Sequence, residues 1–314
     1  MQLEALQQNV PLAAPAESSQ SWMVPATQAS GLLYASNGAV VWVFSYPQGV
    51  LFGKLELDGT GGNLCSDNYG NVFMPLYSRA EILEYPHGGS RPIAILSSPT
   101  GYYPYACSVD PTTGNLAVTT NQSGPGSPGN VAIYPGAQGT PTVYADADMQ
   151  SYYYCGYDNR GDLFVDGGGR SAFAELPSGS ATFVNIGIKR VKKHPGFGQV
   201  QWDGGYITLA DPRAREIHRL QISGSKGVIF GTTHFEGGVD REGWQSWIQS
   251  GTVIVPAGAL GSEVGFWNYP AGGKRTRTIH GFGKPGIVGV TVSVSTSASY
   301  AGSAQSHART HARE

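Results

Sequence analysis

Three histidines, His194, His234 and His280, fall in three successive connections between apolar runs of this 314-residue chain. Three imidazoles suffice for a zinc or copper ion, and Glu236 or Asp240 beside them would serve as base for a metal-bound water. Such a divalent metal is the only cofactor the sequence suggests. Nothing local fixes the convergence of the three rings, so the competing expectation is histidines on separate surface loops. Aromatic residues make the second candidate. Tyr102, Tyr103, Tyr105, Tyr152 and Tyr153 stand on two neighbouring connections, with Trp244 further along, and would form stacking surfaces for a sugar or an extended peptide. Packing between sheets competes for these rings, most strongly for Tyr154 and Trp247, which sit inside strands. Lys189, Arg190, Lys192 and Lys193 form a basic run. Such a run would attract an anionic polysaccharide or a phosphate-bearing partner, against its commoner use as a solvated loop, and Lys193, with Arg241 on the Trp244 connection, is a candidate contact to a ligand.

Several chemistries lack their motifs. The chain contains no Gly-x-Ser-x-Gly, no phosphate-binding loop, no His-Glu-x-x-His and no obvious carboxylate pair in these connections. Three cysteines, Cys65, Cys107 and Cys155, include no Cys-x-x-Cys, so a structural zinc site is not expected and at most one disulfide can form. Cys107 and Cys155 take matching places in the repeat described below and Cys65 is displaced by one. The pair in register is therefore the conceivable bridge, and small buried side chains are the plainer expectation. A net charge of −2 supplies no excess of cations for a polyphosphate, so nucleic acid is not an expected partner. No run of 18 apolar residues occurs, and membrane insertion is not expected.

The elements that must position these residues are strands. With 45 Gly and 20 Pro against 13% charged residues, long helices are excluded, while 11% aromatic residues demand a buried core. One pattern recurs, a turn containing Asp and Gly between two apolar strands: Asp67-Asn-Tyr-Gly70, Asp110-Pro-Thr-Thr-Gly114, Asp158-Asn-Arg-Gly161, Asp203-Gly-Gly205 and, more weakly, Gln249-Ser-Gly251. Asp bonds the turn backbone and Gly accepts positive φ, so each copy closes a hairpin and its Asp is a turn-former rather than a catalyst. A second marker, an aromatic or Leu before Pro, follows at Tyr46, Tyr85, Tyr134, Leu176 and Tyr269, with Leu220-Gln221 in the fifth place. A further apolar run after each marker supplies a fourth strand. Four antiparallel strands in about 45 residues is the blade of a β-propeller.

Six markers predict an all-β, six-bladed β-propeller of four-stranded antiparallel blades. The first blade lacks an inner strand, because Leu32–Ser36 already reads as a second strand. Ile287–Val294 is the candidate for that place, which would close the ring by pairing a C-terminal strand in the first blade. The propeller then spans 29–295, with a poorly ordered N-terminal extension over 1–28 and a flexible tail over 296–314. Connections between blades, and between second and third strands, would lie on one face around the channel mouth. They carry the candidate residues above, and His87, in a hairpin turn, falls on the other face.

The Asp-x-x-Gly-Asn pattern resembles NHL-repeat and gluconolactonase-like six-bladed propellers. The phrases Glu84-Tyr-Pro-His-Gly-Gly89, Cys107-Ser-Val-Asp-Pro-Thr-Thr-Gly-Asn-Leu-Ala-Val118, Gln201-Trp-Asp203 and Phe266-Trp-Asn-Tyr-Pro-Ala-Gly-Gly273 are similar to a group of uncharacterised bacterial propeller proteins, over residues 30–295. That likeness implies export from the cell and no particular activity. The gluconolactonase-like branch implies a divalent ion held by Glu, Asn and Asp at the starts of inner strands. Here those stretches offer only Asn63 and no carboxylate, so lactonase chemistry is not expected. The function expected is a non-catalytic ligand-binding propeller, extracytoplasmic, that takes a carbohydrate or peptide at the channel mouth. The alternative is a metal-assisted hydrolase or lyase using the three histidines, resembling streptogramin-lyase-like propellers in fold only.

Overall fold

The computed structural model describes residues 8–10, 20–24, 31–99, 101–124, 127–170, 172–189, 198–239 and 245–294. No α-helix occurs among them, and no helix is long and apolar enough to cross a membrane. Two short strands come from the N-terminal extension, β1 (Gln8–Val10) and β2 (Trp22–Met23). The first sheet follows with β3 (Gly31–Ser36), β4 (Val40–Tyr46) and β5 (Leu51–Glu56). The second holds β6 (Cys65–Ser66), β7 (Val72–Leu76), β8 (Glu81–Tyr85) and β9 (Ala94–Ser97). The third holds β10 (Pro104–Val109), β11 (Leu116–Gly124), β12 (Ser127–Tyr134) and β13 (Thr142–Tyr144). The fourth holds β14 (Met149–Tyr157), β15 (Leu163–Gly169), β16 (Phe173–Leu176) and β17 (Val184–Asn185). After β18 (Gly187–Lys189) come β19 (Val200–Trp202), β20 (Ile207–Asp211), β21 (Glu216–Ser223) and β22 (Lys226–Glu236). The last run is β23 (Trp247–Gln249), β24 (Thr252–Ala257), β25 (Glu263–Asn268) and β26 (Gly272–His280), followed by β27 (Gly289–Ser293).

Within each run the strands are antiparallel neighbours in chain order. The runs β19–β22 and β23–β26 are joined into one ten-stranded sheet by a parallel pairing of Phe235 with Gly273 and Glu236 with Lys274, so the described residues form five sheets. β27 pairs antiparallel with β3, Gly289 opposite Ser36 and Ser293 opposite Leu32. Outer edges of three runs carry an added strand: β2 on β5, β18 on β22 and β1 on β26. Residues 296–314 lie outside the described part.

Side-chain alternation explains why these strands need neighbours on both faces. Leu32 and Tyr34 face the second sheet, packing with Val72 and Met74, while Leu33 and Ala35 face the other way onto Ile254, Phe266 and Ile279. Phe73 turns from its neighbours Val72 and Met74 to meet Leu116 and Val118. Ala117 packs towards Val165 and Ala174, and Phe164 and Phe173 towards Val200 and Leu209. Ala210 and Ile217 then pack onto Val253 and Val255. Six apolar clusters thus lie between successive four-strand runs, the sixth between the last run and the first sheet.

The hairpin turns do what their residues predict. Asp67 Oδ1 accepts the N–H groups of Tyr69 and Asn71, Asp158 Oδ1 those of Arg160 and Asp162, and Asp203 Oδ1 those of Gly205 and Tyr206. Gly70 and Gly161 take φ of 90° and 82°, where a Cβ would be strained. In the fourth copy that role falls to Gly204, at 98°, and not to Gly205.

Candidate functional site

The inner strands of the third and fourth sheets are interrupted where the tyrosines stand. β10 shifts register against β11 between Pro104 and Ala106, which leaves Tyr105 out of the ladder. β14 shifts against β15 between Tyr152 and Cys155, which leaves out Tyr153 and Tyr154. Bulges of this kind re-aim side chains at sheet rims. Each is held by one polar side chain of the second strand. Thr119 Oγ1 accepts the Ala106 N–H at 3.1 Å and donates to Tyr153 O at 2.7 Å, reaching from the third sheet to the fourth. Asp166 Oδ1 accepts the Tyr154 N–H at 2.7 Å and Oδ2 the Gly198 N–H at 2.8 Å, reaching from the fourth sheet to the start of the next run.

The bulges bring three of the rings together. Tyr105 meets Tyr153 edge-on with centroids 5.8 Å apart, and Tyr154 at 5.6 Å. Asn63 Nδ2 donates to Tyr105 O at 3.0 Å, so the second sheet joins the same cluster. Tyr154 and Asp166 are buried, whereas Tyr105 and Tyr153 are half-exposed. Burial pushes the Asp166 carboxyl up to about 8, against the two N–H groups that favour its charged form. Burial also raises the Tyr105 and Tyr154 phenols and the Cys155 thiol. The Tyr154 hydroxyl donates to the Tyr105 side chain, and Gln199 Oε1 is buried without a hydrogen-bond partner.

A second aromatic pair lies further out. Tyr103, 38% exposed, stacks on Tyr77, 50% exposed, with centroids 4.9 Å apart and planes inclined by 32°. Tyr77 follows β7 in a connection between second and third strands, and Tyr103 precedes β10 in a connection between runs. Tyr105 and Tyr153, by contrast, lie within β10 and β14 and not on the connections the sequence suggested. Sequence patterns did not single out Tyr77, a lone aromatic outside any repeat marker.

The other sequence candidates fare differently. Tyr102 is half-buried beside Tyr103. Tyr152, expected as a stacking surface, is wholly buried in the core between the third and fourth sheets, packed with Phe183 and hydrogen-bonded to the Asp146 backbone. Tyr154 and Trp247 pack in the core as their strand positions imply. Lys193, His194, Arg241 and Trp244 lie outside the described residues. His234 Nδ1 pairs with Glu216 Oε1 at 2.9 Å and His280 Nδ1 with Glu263 Oε1 at 3.1 Å. His234 sits beside Gly272 at one end of β26 and His280 ends that strand, eight positions on, or roughly 26 Å along an extended chain. These two rings do not meet, and no group of three or more His, Cys, Asp or Glu placed to hold a metal occurs among the described residues.

The cysteines form a different pair from the one in register. Cys65 of β6 and Cys107 of β10 are joined by a disulfide, Cα atoms 5.6 Å apart, and Cys155 is free and buried. The reason is direction. Cys107 Sγ faces back towards the second sheet, 3.8 Å from Phe73 O, and Cys155 Sγ faces Ala117 O, so Cys155 does not point at Cys107.

No family model matches the chain, and no curated protein does. Solved structures do. A protein of unknown function from Bacteroides caccae matches with TM-score 0.63 and 12% identity, over 84% of this chain and 99% of that one. A chain of a nidogen/laminin complex matches with TM-score 0.68 and 12% identity, over 85% and 100%. A streptogramin B lyase matches with TM-score 0.50 and 13% identity, over 67% and 66%. At such identities the likeness is one of fold, and the fold is that of a β-propeller.

Proposed function

We propose that the chain is a six-bladed propeller whose channel-mouth face binds a neutral carbohydrate without catalysis. The six apolar clusters in cyclic order support the blade count, and the β3–β27 pairing supports closure in the first blade. The observation that carries the ligand class is the exposed Tyr77–Tyr103 stack standing outside the Tyr105–Tyr153 pair. Aromatic faces offer apolar area to the C–H faces of a pyranose, and Asn63, which donates to Tyr105 O, adds a neutral hydrogen-bonding group beside them. The Cys65–Cys107 bridge fits an oxidising compartment, which supports an extracytoplasmic location. A peptide is the second ligand class, since the nidogen/laminin neighbour is a chain of a protein complex. A metal-assisted reaction finds less support, given the separation of His234 from His280.

A glycan microarray with the purified chain tests this reading, followed by titration calorimetry on the best neutral oligosaccharide. Wild type binds, and Tyr103→Ala and Tyr77→Ala each weaken binding by about tenfold, the order expected for loss of one stacked ring. Absence of binding to any neutral glycan on the array overturns it.

A further inference from the structure

Arg79, Arg160, Arg170, Arg219 and Arg275 each lie within ion-pair distance of an Asp or Glu. Arg277, two residues beyond Arg275 in β26, does not: among the described residues no carboxylate stands within that distance of it, and the one titratable group that acts on its charge is Tyr46. Its guanidinium lies 3.7 Å from the ring centroid of Phe266, its cross-strand partner in β25. Nη1 donates to Pro47 O in the turn between β4 and β5. Gly49 of the same turn, at φ 78°, comes so close that a Cβ there would stand 3.3 Å from Nη1. Tyr46 donates its own proton elsewhere, to Gln249 O at 3.0 Å. The guanidinium is thus held half-buried at the seam between the last run and the first sheet, beside two hairpin turns. Arg275 makes a similar ring contact, 5.5 Å from Trp267, and has Glu263 as its counter-ion. A cation withdrawn from water without an anion is unfavourable, and burial lowers the Arg277 pKa accordingly. Burial raises the Tyr46 phenol, which therefore stays neutral and supplies no negative charge.

We propose that Arg277, between Phe266 and the Tyr46–Gly49 turn, is the receptor for a single carboxylate group of a small organic acid. This site is separate from the Tyr77–Tyr103 stack and does not rest on the carbohydrate reading. The guanidinium is a planar fork of N–H donors whose geometry matches the two oxygens of a carboxylate, and the Phe266 ring and the Pro47 carbonyl fix its orientation in advance. One positive charge offsets one negative charge. A phosphate dianion would keep half of its charge, since no second cation acts on Arg277. A neutral amide offers no charge to compensate. The turn lying against Nη1 restricts the ligand to a small head group.

A titration of the full chain labelled with ¹⁵N tests this, sodium acetate replacing sodium chloride at constant ionic strength so that screening stays equal. The Arg277 Nε–H signal, identified by its upfield position over the Phe266 ring and its loss in Arg277→Lys, should move saturably with acetate and not with acetamide. Phosphate should move it less than acetate at equal concentration. The melting temperature should rise by about 2 °C at ten times the dissociation constant of acetate. Arg277→Met keeps an apolar stem on Phe266 without the charge and should lose that rise. A signal that acetate leaves in place, a larger response to phosphate, or an equal rise in Arg277→Met overturns the proposal. The wild-type titration decides even where Arg277→Met does not fold.

Discussion

Asp166 in β15 accepts the backbone N–H of Gly198 at 2.8 Å across the boundary between the fourth sheet and the next run. Its carboxyl, raised to about 8 by burial against an ordinary value of 3.8, binds a proton in the folded chain over a range where the unfolded chain does not. Stability therefore carries a contribution that is full below about pH 4 and is lost as pH rises towards 8. Glu84, raised to about 7 by burial and by the nearby Asp67, acts in the same direction over a narrower window. Urea unfolding between pH 4 and 8.5 should show stability declining across this window. Asp166→Asn should flatten that decline while costing about 1–3 kcal/mol at pH 5, because an amide cannot accept from both Tyr154 and Gly198. A slope unchanged by the substitution would contradict the assignment.

The pairing of Cys65 with Cys107 predicts one titratable thiol per unfolded chain without reductant, and three with it. The bridge closes a loop across a sequence separation of 42, so Cys65→Ser with Cys107→Ser should lower stability by about 2–4 kcal/mol. Cys155 should react with a thiol reagent only after unfolding, since it is buried and its thiol is pushed up in pKa.

Two tyrosines that look alike in sequence should separate by assay. Tyr103→Ala should change ligand affinity and move stability by less than about 0.5 kcal/mol, as expected of an exposed ring. Tyr152→Ala opens the core between the third and fourth sheets and should cost about 3–5 kcal/mol. Thermal melts beside calorimetry distinguish the two outcomes.

His234 and His280 each pair with their own glutamate, Glu216 and Glu263. Substituting both by Ala should change stability by the sum of the single effects to within about 0.5 kcal/mol, with or without added zinc. A coupling that appears only with zinc would place the two rings on one ion.

How much of this was legible in the sequence depended on whether a residue acts locally. Asp67, Asp158 and Asp203 bond turn backbones within four residues of themselves, and composition at fixed spacing revealed them. The strand Leu32–Ser36 and its C-terminal partner could be read because one strand was missing from an otherwise regular count. Cys65 could not be matched to Cys107 by register, because β6 is only two residues long and its offset rotates the side chain towards β10. Asp166 reads as one more residue in the run Leu-Phe-Val-Asp-Gly. Its role arises only from the bulge opposite it, which needs the pairing of β14 with β15 to be seen. Tyr77 meets Tyr103 across two connections from different strands, a proximity no local pattern encodes.

The pairing of Gly289–Ser293 with Gly31–Ser36 also sets an order in time. During synthesis, about 250 residues must leave the ribosome after β3 before its inner edge can find its partner, while the second, third and fourth sheets are assembled from neighbouring segments. The first sheet is thus the last to be finished, and its unsatisfied backbone stays open to mispairing until the chain is nearly complete.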